Sequence, residues 1–194
     1  MMSSLRLLIV FSLCIQNVVY AADDKNTYSI DFQSANGQLL ANGEPFYIKG
    51  ANWFGFEGKE HILQGVWPSA TTIDKGLDIL VKYNFNAIRL PLALDAIADN
   101  PPIIPSQTAG DSSLFNLNYL EAIDVFVAKC AEKNILVIFD NHRTDSKVPT
   151  VDEVVDVSAA KTAFTTLADR YCTSSKYWNV IGVDLKNEPH GKAR

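Results

Sequence analysis

Apolar runs of strand length alternate along this chain with apolar residues at helical spacing, and each strand-like run stops in polar residues. Ile135 to Phe139 is unbroken and ends in Asp140-Asn141-His142-Arg143. Val180 to Leu185 is followed by Asn187-Glu188-Pro189, and Asn86 to Leu90 carries Arg89 and is stopped by Pro91. Phe46 to Ile48 leads into Gly-Ala-Asn-Trp-Phe-Gly-Phe, a first core strand whose closing loop holds Asn52 and Trp53. Between these runs Ile73, Leu77, Leu80 and Val81 predict a helix over 72–83 that Thr71 or Thr72 can cap. Leu117, Leu120, Ile123, Phe126, Val127 and Cys130 predict a second helix, and Phe164, Leu167, Ala168 and Tyr171 a third. Near-continuous apolar strands separated by helices belong to a parallel sheet covered on both faces. In such folds the C-terminal strand ends and their loops build the site, so Asn52, Arg89, His142 and Glu188 are expected to share one mouth. Upstream, Tyr28, Ile30 and Phe32 alternate with polar residues ahead of Asn36-Gly37 and Asn42-Gly43, which predicts a small antiparallel hairpin.

The first residues carry one basic side chain, Arg6, an apolar run from Leu7 to Ile15 broken by Ser12, and Val19-Tyr20-Ala21. That is the layout of a secretory signal peptide, expected at 1–21, with one domain over 22–194 and an extracellular destination. The run is far short of the roughly 20 residues that span a bilayer, so no membrane partner is expected. Cleavage would remove Cys14 and leave Cys130 and Cys172, a disulfide candidate or two free thiols. Lys and Arg number 17 against 22 Asp and Glu, a net charge of -5, which argues against a nucleic-acid partner. No Gly-x-Gly-x-x-Gly follows a strand and no Gly-Lys-Ser/Thr loop is present, against dinucleotide and nucleotide cofactors. Three histidines without ligand spacing predict no metal site.

Four motifs in order carry a resemblance: Asn-Trp-Phe-Gly-Phe-Glu at 52–57, Asn-Ala-Ile-Arg-Leu-Pro at 86–91, Asp-Asn-His-Arg at 140–143 and Asp-Leu-Lys-Asn-Glu-Pro-His at 184–190. Together they resemble glycoside hydrolase family 5, the cellulase-type endoglucanases. The resemblance implies the α/β class and a (β/α)8 barrel of the TIM type, here its first half: about four strand-helix units plus the hairpin. It also implies cleavage of a β-1,4-glucan with retention, without a cofactor. Glu188 matches the general acid/base and Asn187 the residue that bonds the sugar 2-hydroxyl. Arg89 and His142 match polar residues that orient the catalytic carboxylates, while Trp53 and Trp67 are candidate aromatic platforms and Asn52 a substrate-side polar group.

The chemistry requires those types. A glycosidic oxygen leaves poorly as an alkoxide, so one carboxylic acid protonates it while a second carboxylate, about 5 to 5.5 Å away, attacks the anomeric carbon. Arg89 favours the ionised form of whatever carboxylate it touches, so it is expected beside the nucleophile more than beside Glu188. Taken singly, Arg89 reads as a strand-end ion pair and Trp53 as core. The family's nucleophile is a glutamate after the seventh strand, whereas Glu188 follows the fourth, and no candidate for it is found in the 194 residues. A full barrel takes about 250 residues, so the chain looks like a truncated reading frame and is expected to be inactive alone. The alternative from another class is a secreted glucan-binding or decoy protein that lost catalysis.

Overall fold

The computed structural model describes residues 30–66, 71–148 and 156–189. The signal-peptide expectation, Tyr28, Trp67 and His190 lie outside them. The chain opens with an antiparallel meander of β1 (Phe32–Ala35), β2 (Gln38–Ala41) and β3 (Glu44–Pro45). Its two turns are Asn36-Gly37 and Asn42-Gly43, with φ of +52° and +75° and of +53° and +84°. Both positions of each turn are left-handed, the signature of the tight turn whose twist suits a hairpin.

A four-stranded parallel sheet follows, with β4 (Gly50–Asn52), β5 (Ala87–Ala93), β6 (Leu136–Arg143) and β7 (Val180–Asp184). Helix α1 (Ile73–Lys82) joins β4 to β5; α2 (Leu94–Asp99) and α3 (Tyr119–Glu132) join β5 to β6, and α4 (Val157–Tyr171) leads to β7. The strands lie side by side in chain order, β4-β5-β6-β7. A doubly wound sheet reverses direction at a switch point, whereas this singly wound order is the wall of a (β/α) barrel. The fold is thus a partial barrel.

Local chemistry sets the helix ends. Thr72 caps α1 by accepting from the Lys75 amide, and Asn118 and Glu121 form a reciprocal capping box at the start of α3. The short α2 carries no such side-chain cap, and its sequence announces it poorly. Alternation then sorts the strands. Ile88, Leu90, Leu92, Val137 and Phe139 are buried in one core cluster with Leu77, Ile123, Phe126 and Leu167 of the helices. Burying each such side chain contributes about 1.5–3 kcal/mol. The opposite parity, with Arg89, Asp140 and His142, lies on the other face of the sheet, which forms the inner wall of the barrel.

Two expectations are corrected, and one left open is resolved in the structure. Pro91 does not end its strand, since β5 continues to Ala93 and Pro91 stands opposite Asp140 in the register with β6. The Trp53 amide donates to Arg89 O, so the Arg89 backbone faces β4. Two residues later Pro91 faces the same side, where β4 has already ended at Asn52 and no partner needs its missing N–H. Ala168 is exposed, because the buried face of α4 is Ala160, Ala163, Leu167 and Tyr171. Cys130 and Cys172 are both free: Cys130 is sealed in the core on α3, while Cys172 is exposed at the end of α4.

Candidate active site

Arg89 is the hub at the C-terminal end of the sheet. Its Nε and Nη2 donate to Asp184 Oδ2 at 3.1 and 2.7 Å, Nη2 donates to Asn187 Oδ1 at 3.0 Å, and Nη1 donates to Asn52 Oδ1 at 3.3 Å. Asp140 Oδ1 lies 2.9 Å from the same Nη2. One guanidinium therefore gathers side chains from β4, β6, β7 and the loop beyond β7. Its planar fork of donors makes this possible where a lysine would offer a single point charge.

The two carboxylates differ in environment. The Asp184 side chain is 39% exposed, and the Asp140 side chain is fully buried. Both hydrogens of Nη2 are directed to Asp184 and Asn187, so Asp140 Oδ1 meets the cation without receiving a hydrogen. Its other oxygen, Oδ2, is 2.7 Å from His142 Nδ1. Neither aspartate stood out as a site residue in the sequence. The signal for Asp140 was its place two residues before His142 on a strand, which puts both on one face.

Backbone contacts carry the arrangement to Glu188. The Asn187 amide donates to Asn141 O, Asn141 Nδ2 donates to Leu185 O, and Lys186 Nζ donates to His142 O. The end of β6 thereby fixes the loop after β7. Glu188 is exposed and has φ of +39°. Among the described non-glycine residues with positive φ, six are asparagines, which tolerate that region, and the others are Glu188 and His61. A strained backbone at a carboxylate beside a polar hub is the kind of cost that sites retain.

The structure thus brings Asn52, Arg89, His142 and Asn187 into one cluster of hydrogen bonds and ion pairs, with Glu188 next along the chain. It does not bring Trp53 there. The Trp53 indole turns to the helical side of the sheet, donates to Gln64 O at 3.0 Å and meets Phe126 edge-to-face at 5.8 Å between centroids. A Cβ on Gly76 of α1 would stand 2.1 Å from its ring, so one end of the indole rests on that glycine. Trp53 therefore packs against the helices, away from the Arg89 cluster. No cluster of candidate metal ligands occurs among the described residues.

A second polar knot ties the start of α2 to the loops after β4 and β6. Ser146 Oγ donates to Asp95 Oδ2 at 2.7 Å, leaving Oγ to accept from His61 Nε2 at 3.0 Å. Burial depresses the His61 pKa below its ordinary value, against the opposing pull of Asp95.

The parallel, singly wound sheet is the wall of a (β/α) barrel, with the arginine hub and the Asn187-Glu188 pair at its C-terminal end. The chain belongs to the family Cellulase (glycosyl hydrolase family 5), which its residues 39–194 match. It is 32% identical over 157 residues to an endoglucanase of Paenibacillus polymyxa, covering 78% of this chain and 38% of that protein. The major extracellular endoglucanase of Xanthomonas campestris pv. campestris is 29% identical over 181 residues, or 89% of this chain and 35% of its own. Among solved structures, an endocellulase from Pyrococcus horikoshii complexed with cellotetraose superposes with a TM-score of 0.72 at 26% identity, covering 86% of this chain and 46% of that one. The chain spans less than half the length of these relatives.

Proposed function

We propose that the chain is the strand-one-to-four portion of a secreted endo-β-1,4-glucanase in which Glu188 is the general acid/base of a retaining hydrolysis. The observation that carries the reading is the Arg89 cluster, which holds Asn187 by its side-chain oxygen and leaves Glu188 exposed at the mouth. Asn187 Oδ1 accepts from Arg89, so its side-chain NH2 is left to donate to a sugar hydroxyl oxygen. Glu188 then protonates the departing glycosidic oxygen and afterwards deprotonates the attacking water. Asp140 and Asp184 are engaged by Arg89 and are poorly placed to act as nucleophile. The second carboxylate comes from beyond the 194 residues, and no metal or cofactor takes part.

Cellotetraose and related β-glucan segments are the ligands of this half-site, and residues 1–21 direct the protein out of the cell. Calorimetric titration tests the reading: the chain should bind cellotetraose and ignore the α-linked maltotetraose. No binding, or equal binding of both, would refute it. Incubated with carboxymethyl cellulose, the 194 residues should release no reducing sugar. Release that Glu188→Gln abolishes would show that the second carboxylate lies within them.

A further inference from the structure

Asp140 is a carboxylate with no exposed side-chain surface, and it touches two groups of the site in different ways. Oδ1 faces Arg89 Nη2 at 2.9 Å without a hydrogen, and Oδ2 faces His142 Nδ1 at 2.7 Å. A carboxylate beside a guanidinium is an acceptor only, so the hydrogen on the Asp140–His142 contact belongs to Nδ1. In the neutral imidazole the other nitrogen, Nε2, is then an acceptor with a free lone pair.

We propose that Asp140 is a positioning residue that locks His142 in the Nδ1–H form and so presents Nε2 to the mouth as an acceptor for a hydroxyl of the bound glucan. This rests on the glucanase reading for the identity of the donor, while the Asp140–His142 coupling is a property of the chain itself. The second knot gives a built-in contrast. Ser146 Oγ, having donated to Asp95, requires a hydrogen on His61 Nε2. The two histidines are thus held as opposite tautomers at the same face.

The substitution Asp140→Asn makes the coupling testable, because an amide has one acceptor where the carboxylate has two. Arg89 attracts that oxygen, which turns the Asn NH2 toward His142 Nδ1. Nδ1 must then accept, and the ring proton moves to Nε2. The lone pair at the mouth disappears.

The experiment is ring-nitrogen NMR on the 194-residue chain labelled with 15N-histidine, at a pH where the imidazoles are neutral, with His61→Asn and His190→Asn assigning two of the three histidines and leaving His142 as the third. In the unaltered chain His142 should carry its proton on Nδ1 and His61 on Nε2. Asp140→Asn should move the His142 proton to Nε2, whereas Asp184→Asn, which touches Arg89 but not His142, should leave it on Nδ1. Cellotetraose affinity should fall about 10-fold in Asp140→Asn, the loss of one hydrogen bond. An Nε2–H tautomer in the unaltered chain would overturn the proposal, as would an Nδ1–H tautomer that persists in Asp140→Asn. If Asp140→Asn does not fold, the tautomer in the unaltered chain decides the question. Absence of cellotetraose binding together with the expected tautomers would refute the glucanase reading and leave the Asp140–His142 coupling standing.

Discussion

Replacing Arg89 by Met keeps most of the side-chain volume and removes the charge from the hub. Asp140 would then be a fully buried carboxylate without a counter-ion, and breaking a buried pair on one side typically costs about 3–5 kcal/mol. Arg89 itself is 27% exposed at its side chain, so water reaches part of the site and the lower end, about 3 kcal/mol, is expected. Asp184 is 39% exposed and can rehydrate, adding roughly 0–1 kcal/mol. With a urea slope of about 1–3 kcal/mol/M, the unfolding midpoint should fall by roughly 1–3 M. Adding Asp140→Asn removes the stranded charge and should return more than half of the loss. The reasoning fails if Arg89→Met costs less than about 1 kcal/mol, the level of an exposed pair, or if the double variant is less stable than the single one.

Other expectations follow from particular contacts. Gly76→Ala should destabilise by about 1–2 kcal/mol in chemical denaturation despite the better helix propensity of Ala, because its Cβ would stand 2.1 Å from the Trp53 ring; Gly76→Ala should become neutral or better in a Trp53→Leu background. His61 has a folded-state pKa below 6.5, so the unfolded chain binds more protons as pH falls through that value. Stability should therefore drop on acidification from neutral pH and level off below the folded pKa. His61→Asn, which tolerates the +55° φ, should flatten that part of the profile. Burial pushes the Cys130 thiol up, so in chain lacking residues 1–21 an aromatic disulfide reagent should label Cys172 at once and Cys130 only in denaturant; no reaction at either thiol in native protein would indicate a bridge.

The strand and helix plan was legible because each element has a strong local signal. The Asn-Gly turns, the Thr72 cap and the unbroken run ending at Phe139 each state their conformation within a few residues. Pro91 misled because its tolerance depends on where the neighbouring strand β4 ends, a fact carried by other residues. Asn52, Arg89 and His142 could be placed on one mouth from strand-end logic alone, while Asn187 was reached only through the family resemblance. Asp140 and Asp184 could not be singled out, since their importance lies in sharing Arg89 across three strands. The reverse held for Trp53, whose neighbours in sequence are site residues but whose alternation sends the indole to the helices.

The central claim is that the strand-end cluster around Arg89 is half of a glucan site. Residue-resolved NMR of the 194-residue chain titrated with cellotetraose tests it most directly. The account predicts shifts concentrated at Asn52, Arg89, His142, Asn187 and Glu188, weakened in Asn187→Ala. Shifts confined to the opposite end of the strands, near Phe32, Tyr177 and Trp178, would contradict it.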